Sequence, residues 1–376
     1  MSFGIYVHIP FCVSKCYYCN FYSEVKPKLV NDYVVALLAE IKRESSKYKD
    51  KEVDTIFIGG GTPSILNSGS ISSIIYTIKD YFNVSKKCEI TMEINPKTVN
   101  NADALEWFSC GVNRVSLGVQ TTNNKLLKKI GRAHSYKDFV EGIKILQKVG
   151  FTNINADLMV GLPGQKKSDV KSALKKCLKL GVKHVSVYSL ILEKNTPLYK
   201  SVKSGEVKLP SEDATLEMFN DALEFTQKKG LIRYEVSNFA YPNYECKHNL
   251  NCWNMHPYVG FGAAAHSFVN RFRYSNVSSI KKYIANINAK TSVKDFAERV
   301  LKCDLIEETI MLNLRTTKGI DLNNLKTTYN YDLVAKKYDQ ISELESLRLI
   351  TNENGFIKAT TKGFEVLNQI ILKLVD

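Results

Sequence analysis

The sequence lacks any long uncharged hydrophobic run. No stretch of its 376 residues approaches the roughly 18 apolar residues that a membrane-spanning helix needs. It also lacks a signal peptide, because the apolar run at residues 5–11 contains His8 and leads directly into cysteines. With 44% hydrophobic and 24% charged residues the composition is that of a globular protein. We therefore expect a cytoplasmic protein without a transmembrane segment.

The sequence lacks a disulfide framework, because most of its nine cysteines have neither the spacing of such a framework nor that of a metal site. Six cysteines are scattered in this way: Cys88, Cys110, Cys177, Cys246, Cys252 and Cys303. We interpret most of them as small core residues.

Acidic residues are outnumbered, with 38 Asp and Glu against 52 Lys and Arg and a net charge of +14. Such a charge suits a nucleic acid, an anionic membrane surface or an anionic substrate. Lys and Asn abound throughout the chain, however, and we attribute the charge to this compositional bias.

The remaining cysteines are concentrated near the amino terminus. Cys12, Cys16 and Cys19 follow an apolar, β-branched run with the spacing C-x3-C-x2-C. Ferredoxin-type clusters use four cysteines, so three would leave one iron of a four-iron cluster open. The alternative is a zinc site formed by these cysteines and His8.

A strand-then-helix rhythm runs from residue 4 to about residue 191. Strands are predicted at 4–9, 53–58, 89–94, 114–119, 154–160 and 184–191, and helices near 31–46, 69–82, 101–109, 136–149 and 167–180. The first helix is predicted to begin at Asn31 or Asp32 as its cap. Six βα units imply parallel strands joined by crossovers. We predict an incomplete (βα)6 barrel, although periodicity alone leaves an open doubly wound sheet possible.

Small or polar residues stand where the predicted strands end. They are the glycine-rich residues 59–64, Glu93, Gln120, Arg132 in the next loop, and Asp157. A glycine run by itself also suits a tight turn. Several such positions at the carboxyl ends of parallel strands indicate one site at that face.

These motifs resemble the radical S-adenosylmethionine (SAM) superfamily. The sequence around the cysteines is similar to that of the anaerobic coproporphyrinogen III oxidase group and its haem-chaperone relatives. The resemblance implies that Cys12, Cys16 and Cys19 hold a [4Fe-4S] cluster and that SAM chelates the open iron. It implies SAM contacts at the matching positions Tyr6, Tyr18, Gly60, Gly61, Thr62, Glu93, Gln120, Arg132 and Asp157.

A later segment, residues 248–253, resembles the HNxxYW motif of the haem chaperones, in which the histidine is a proposed haem ligand. Here the motif reads His-Asn-Leu-Asn-Cys-Trp, with Cys252 replacing the tyrosine. His248 and Cys252 are therefore the candidate haem residues, and His256 and His266 are rival ligands. From the residues alone, His248 also fits a hydrogen-bonded structural histidine. The nearby aromatic residues Trp253, Tyr258 and Phe261 are predicted to form an apolar wall.

We divide the chain into residues 1–235 (the barrel with its cluster), 236–296 (a barrel-closing extension) and 297–376 (a winged-helix-like α+β module). The module is predicted to contain helices at 304–314, 332–347 and 361–375 and a hairpin at 349–358. Its segment 331–350 has three basic and four acidic residues, so no phosphate-binding face is expected.

Two features favour the chaperone branch. The oxidases carry a fourth cysteine where this chain has Phe21, and they have a long extension before the cluster, whereas the first cluster cysteine here is Cys12. The resemblance thus implies a monomeric or dimeric protein that binds the cluster, SAM and haem. It implies delivery of haem to acceptor haemoproteins, such as a membrane respiratory enzyme, from the cytoplasm or the inner face of the membrane. The alternatives are an oxygen-independent coproporphyrinogen III oxidase acting through a 5′-deoxyadenosyl radical and, with less support, a winged-helix nucleic-acid binder.

Overall fold

The computed structural model describes residues 2–375, apart from the side chain of Pro27, and its central element is a mostly parallel sheet. The first six strands are Phe3–Ile9 (β1), Glu52–Gly60 (β2), Asn83–Ile94 (β3), Arg114–Gln120 (β4), Asn153–Val160 (β5) and His184–Ser189 (β6). They pair in parallel in sequential order. The order does not close on itself, so the predicted incomplete barrel is confirmed as an open, curved parallel sheet.

Helices connect these strands as crossovers. They are Val30–Ser45 (α1), Ser68–Tyr81 (α2), Asn101–Cys110 (α3), Asn124–Lys129 (α4), Tyr136–Val149 (α5) and Lys167–Lys179 (α6). The short α4 was not predicted. The predicted cap of α1 is wrong, because Asn31 and Asp32 lie inside the helix and Leu29 occupies the cap position without a side-chain hydrogen bond.

Alternate residues of the strands face opposite sides of the sheet, one towards the hydrophobic core and the other towards the interior site. On β1, Ile5, Val7 and Ile9 are fully buried in the hydrophobic core that the helices share, together with Leu37 and Ile41 of α1. Burying each such side chain contributes about 1.5–3 kcal/mol to stability. The intervening positions of the strands face the concave side of the sheet, where polar side chains collect.

The segment after β6 extends both edges of the sheet. It comprises the helices Pro197–Lys203 (α7), Glu212–Lys228 (α8), Lys247–Trp253 (α9) and Ile280–Asn288 (α10), and the strands Ile232–Arg233 (β7), Asn238–Ala240 (β8), Tyr258–Phe261 (β9), His266–Val269 (β10), Phe272–Asn276 (β11) and Lys294–Arg299 (β12). Strand β9 pairs in parallel with β1, and β8 pairs antiparallel with β6.

The register of β9 corrects the predicted aromatic wall. Phe261 lies opposite Val7, is fully buried in the helix-side core and packs edge-on against Phe82 at 5.9 Å between ring centroids. Tyr258 lies opposite Gly4 and is partly exposed. The wall of Trp253, Tyr258 and Phe261 is therefore split between two faces of the sheet.

The carboxyl-terminal module has its own hydrophobic cluster and a three-stranded sheet. Its elements are Lys302–Asn313 (α11), Ile320–Asp321 (β13), Leu322–Tyr329 (α12), Leu333–Lys336 (α13), Tyr338–Ser346 (α14), Ile350–Glu353 (β14), Phe356–Ala359 (β15), Thr361–Glu365 (α15) and Leu367–Leu374 (α16). The predicted hairpin is confirmed. Two predicted helices are each broken by one residue outside the helical region, Lys337 (φ −123°, ψ 31°) and Val366 (φ −118°, ψ 26°).

Arg233 of β7 is one of the residues that contact the module. Its guanidinium lies over the rings of Phe364, at 4.0 Å from the centroid, and Phe219, at 5.4 Å. Within residues 2–375, no helix combines the length and apolar character that a membrane crossing requires.

Candidate functional site at the carboxyl ends of the strands

The three clustered cysteines lie on the loop that leaves β1. The loop is held by backbone hydrogen bonds, from Cys12 N–H to the carbonyl of Glu24 at 3.2 Å and from Cys19 N–H to the carbonyl of Cys16 at 3.2 Å. All three side chains are partly exposed and line a cavity of about 640 Å³. The local sequence thus places three thiols at the mouth of one cavity.

Two of these sulfurs already have donors from other elements. The Thr62 hydroxyl lies 3.5 Å from Cys12 Sγ, and Arg132 Nη1 lies 3.5 Å from Cys16 Sγ. Burial raises the pKa of the Cys19 thiol, and a backbone hydrogen bond at Phe21 partly opposes this rise. Donors and a guanidinium next to the sulfurs favour an anionic centre, as a thiolate-bound cluster would be.

The zinc alternative has no support from His8. Its Nδ1 lies 2.9 Å from the Tyr6 hydroxyl, and its Nε2 lies 3.1 Å from the carbonyl oxygen of Tyr22. Both ring nitrogens are therefore engaged in hydrogen bonds. No three His, Cys, Asp or Glu side chains in residues 2–375 are gathered closely enough to hold a single metal ion. A four-iron cluster is larger than one ion and takes its thiolate ligands at separate corners.

The glycine run after β2 brings its backbone against the cysteine loop. Gly61 N–H donates to the carbonyl of Ile9 and Thr62 N–H to that of Phe11, each at 2.8 Å. A Cβ added at Gly61 would lie only 2.5 Å from the Phe11 carbonyl oxygen. The close approach therefore requires glycine at position 61.

Two carboxyl groups face the interior of the cavity. Burial, followed by the charge of Asp157, raises the pKa of Glu93 to about 8, although the Gly60 N–H donates to it at 3.1 Å. Burial also raises the pKa of Asp157, while hydrogen bonds from Ser186, Asn155 and Ser116 oppose the rise. Paired buried carboxyls with raised pKa values suit a cationic ligand, whose charge would ionise them.

Arg132 and Gln120 complete the rim. Arg132 donates through Nη2 to the carbonyl of Gly118, in addition to its contact with Cys16. Gln120 ends β4 with φ of 62°, in the left-handed region, where the register of β4 against β5 also shifts. This irregular strand end turns the Gln120 side chain to the cavity.

The predicted SAM residues largely meet at this one cavity. Eight of the nine line it: Tyr18, Gly60, Gly61, Thr62, Glu93, Gln120, Arg132 and Asp157. Tyr6 is the ninth and is not among the lining residues, since its ring stacks against Phe57 at 6.3 Å and its hydroxyl contacts His8.

Sequence reasoning missed a buried polar chain deeper in the sheet. Asn155 Nδ2 donates to Asp157 at 2.8 Å, and Asn155 Oδ1 lies 2.6 Å from His184 Nδ1. His184 Nε2 lies 2.7 Å from the Tyr234 hydroxyl, which accepts the Cys246 N–H at 3.2 Å. The signal was available in the alternation of β5 and β6, where polar residues recur at every second position, as interior-facing strand residues do.

The candidate haem residues lie on α9, outside the cavity lining. His248 is 6% exposed, its Nδ1 lies 2.9 Å from the Thr55 hydroxyl, and its ring packs on Phe57. Burial lowers the pKa of His248 to about 4 and raises that of Cys252 to about 11. Of the rival histidines, His256 bonds Asn251 at 3.2 Å, whereas His266 is exposed.

The family comparisons agree with this geometry. Residues 6–188 match the radical SAM superfamily, and residues 301–366 match the HemN C-terminal domain. The chain is 36% identical to the heme chaperone HemW of Lactococcus lactis over 98% of this chain and 96% of that protein. It is 34% identical to the heme chaperone HemW of Bacillus subtilis over 97% of each.

The chain belongs to the heme chaperone HemW family. This membership implies a [4Fe-4S] cluster and SAM as cofactors of the radical SAM domain, which the thiols, donors and carboxyls of the cavity fit. Among solved structures, coproporphyrinogen III oxidase (HemN) from Escherichia coli superposes with a TM-score of 0.85 over 99% of this chain and 89% of that one. At 22% identity this likeness shows that the chain shares the fold of that oxidase.

Proposed function

We propose that this protein is a haem chaperone that binds a [4Fe-4S] cluster, SAM and haem and transfers haem to acceptor haemoproteins. The observation that carries the proposal is the match to heme chaperones HemW along nearly the full length of the chain. Phe21, at the position where the oxidases have a fourth cysteine, also supports the chaperone over the oxidase alternative.

The cysteine loop and the cavity bind different cofactors. Cys12, Cys16 and Cys19 hold the cluster and leave one iron without a protein ligand. Glu93 and Asp157 would receive the cationic part of SAM, and the backbone at Gly60 and Gly61 would contact it. When bound, the cluster and SAM together supply one-electron chemistry at the cavity mouth.

The haem ligand is proposed on α9, at His248 with Cys252 one helical turn later. The Thr55 hydrogen bond and the packing on Phe57 hold the imidazole in place in this conformation. Iron binding at Nε2 leaves the Nδ1 contact to Thr55 intact, and such a second contact fixes a ligating imidazole. His256 and His266 are the alternative ligands to be tested.

The acceptor is proposed to be a haemoprotein such as a membrane respiratory enzyme, and the chaperone is proposed to work in the cytoplasm, at times at the inner membrane face. Such transfer requires direct contact between chaperone and acceptor. It should therefore outpace the passive release of haem into solution.

The decisive experiment combines reconstitution with transfer. The protein is reconstituted anaerobically with iron and sulfide and titrated with haem. Loaded protein is then mixed with an apo-form respiratory haemoprotein or with apomyoglobin, which traps released haem. The same sample is assayed with coproporphyrinogen III and SAM.

Haem binding near one per chain, and faster transfer to the respiratory acceptor than to apomyoglobin, would support the chaperone. Equal rates to both would reduce the protein to a passive haem binder. Decarboxylated porphyrinogen with SAM consumption would instead establish an oxidase despite Phe21. His248→Ala and Cys252→Ala should weaken haem binding and alter its spectrum; an unchanged spectrum in both would move the ligand to His256 or His266.

A further inference from the structure

Arg114, the first residue of β4, is a buried cation without a partner. Its side chain is 2% exposed, and its Nε is buried with no hydrogen-bond partner. Across residues 2–375, no carboxylate lies within ion-pair distance of its guanidinium. The side chain lines the cavity near the amino ends of the strands, at the end opposite the cysteine loop.

The carboxylates near Arg114 already accept hydrogen bonds from other residues. The Glu89 oxygens accept the backbone N–H of Lys247 at 3.0 Å and of His248 at 3.1 Å. Asp157 accepts Ser116 and Asn155, at 3.0 and 2.8 Å. These carboxylates stabilise the charge of Arg114 from a distance but leave its N–H donors unused.

A second donor faces the same cavity. The Asn249 side chain, on α9, lines the cavity and makes no hydrogen bond within the described part of the chain. By contrast, the neighbouring His184 and Asn155 side chains are bonded to each other and to further partners. The unused donors at this end are therefore those of Arg114 and Asn249.

A buried guanidinium is costly unless it is paired, and its planar fork matches a carboxylate through two parallel hydrogen bonds. The acidic Glu89 and Asp157 nearby would repel a dianion such as phosphate more than a singly charged carboxylate. We propose that the inner end of the cavity is a carboxylate-binding subsite, in which Arg114 forms the ion pair and Asn249 adds a hydrogen bond.

The carboxylate belongs to a ligand other than SAM, because SAM is expected to chelate the open cluster iron, at the opposite end of the cavity. Two sources share this chemistry: a propionate side chain of a tetrapyrrole, which rests on the proposed function, and a free short-chain monocarboxylate, which does not. The test below separates them.

The test compares wild-type protein with Arg114→Gln and Asn249→Ala, and uses Arg299→Gln as a control that removes an exposed surface charge. Haem and haem dimethyl ester, whose propionates are blocked, are titrated by fluorescence quenching. Sodium propionate is titrated separately, and its binding is measured as an increase in the midpoint of thermal unfolding, because a ligand of the native state raises that midpoint.

If the source is a tetrapyrrole propionate, wild type and Arg299→Gln should bind haem at least about tenfold tighter than the ester, and Arg114→Gln should lose that ratio. If the source is a free acid, propionate should raise the midpoint of wild type but not of Arg114→Gln, whereas haem and its ester bind alike. Asn249→Ala should show a smaller loss in either case.

The proposal is overturned if Arg114→Gln keeps the wild-type haem-to-ester ratio and propionate shift, or if wild type shows neither effect. Should Arg114→Gln fail to fold by circular dichroism, Arg114→Lys retains the charge without the fork and should show the same losses in part. A wild-type protein that binds no haem would contradict the chaperone proposal alone, because the propionate titration still decides the subsite.

Discussion

Glu93 Oε2 lies 3.1 Å from the backbone nitrogen of Gly60, which joins the carboxyl ends of β3 and β2 at the cavity. The pKa of this carboxyl is raised to about 8, first by burial and then by the charge of Asp157. At neutral pH the ligand-free protein therefore carries mostly neutral Glu93, although the backbone N–H favours the ionised form.

Binding of SAM should consequently release a proton. A cationic ligand beside Glu93 favours the carboxylate, so SAM affinity should rise with pH, by up to about tenfold per unit below pH 8, and level off above it. Calorimetric titration of the reconstituted protein at several pH values measures this slope. Glu93→Gln should flatten it, whereas Glu141→Gln, an exposed control on α5, should keep it. If Glu93→Gln keeps the same slope as Glu141→Gln, another group releases the proton.

Loss of any one cluster cysteine should abolish the cluster. Cys12→Ala, Cys16→Ala and Cys19→Ala each leave two thiolates, too few to hold a four-iron centre. Iron and sulfide content after anaerobic reconstitution is the measurement, with the exposed Cys303→Ser as the control that retains the cluster. Full iron and sulfide in any of the three alanine variants would remove that residue from the ligand set.

Arg132 should tune the reduction potential of the cluster. Its Nη1 lies 3.5 Å from Cys16 Sγ, and a cation at this position stabilises the more negative, reduced cluster. Arg132→Met should lower the potential, on the order of 50 mV for a one-electron couple, and weaken SAM binding. Potentiometric titration followed by electron paramagnetic resonance provides the value. An unchanged potential in a variant with full iron content would show that Arg132 acts only through its hydrogen bond to the carbonyl of Gly118.

Gly61 should tolerate no side chain. A Cβ there meets the carbonyls of Phe11 at 2.5 Å and Ile9 at 2.9 Å, so Gly61→Ala must displace the cysteine loop. We expect a loss of roughly 1–3 kcal/mol in the free energy of unfolding, together with impaired cluster assembly. Gly69→Ala is the matched control: it lies on the exposed side of α2, its Cβ meets only Asn67 at 3.6 Å, and it should stabilise by roughly 0.5–1 kcal/mol. Urea unfolding compares the two.

His184 should make the fold sensitive to acid. Burial, followed by the charge of Arg114, lowers its pKa well below 6.5, so the folded protein keeps it neutral. Below pH 6.5 the unfolded chain binds a proton that the folded chain does not. This difference reduces the free energy of unfolding by up to about 1.4 kcal/mol per pH unit as the pH falls.

Urea unfolding between pH 7.5 and 5 would reveal this contribution. His184→Gln should make the pH slope shallower by about one proton. Tyr234→Phe removes the hydroxyl that contacts His184 Nε2 but leaves the imidazole buried, so it should lower stability and keep the slope. Identical slopes in wild type and His184→Gln would assign the acid sensitivity to other groups.

Local sequence signals determined much of the fold. All six parallel strands and the five predicted helices between them appear within a few residues of their predicted bounds, apart from the earlier start of β3 at Asn83, because period-two and helical patterns are properties of short segments. The C-x3-C-x2-C loop and the glycine run were also readable, since each lies within a few consecutive residues at a strand end.

Only the tertiary structure decided which polar residues meet. Thr55 and His248 are 193 positions apart, and no local pattern pairs them. The packing of α9 against β2 brings them together. Strand register likewise placed Phe261 in the helix-side core, left Tyr6 beside the cavity rather than in its lining, and brought Arg114 and Asn249 to its inner end. Segment patterns specify the elements, whereas long-range packing sets their mutual positions, and the chemistry of this cavity depends on those positions.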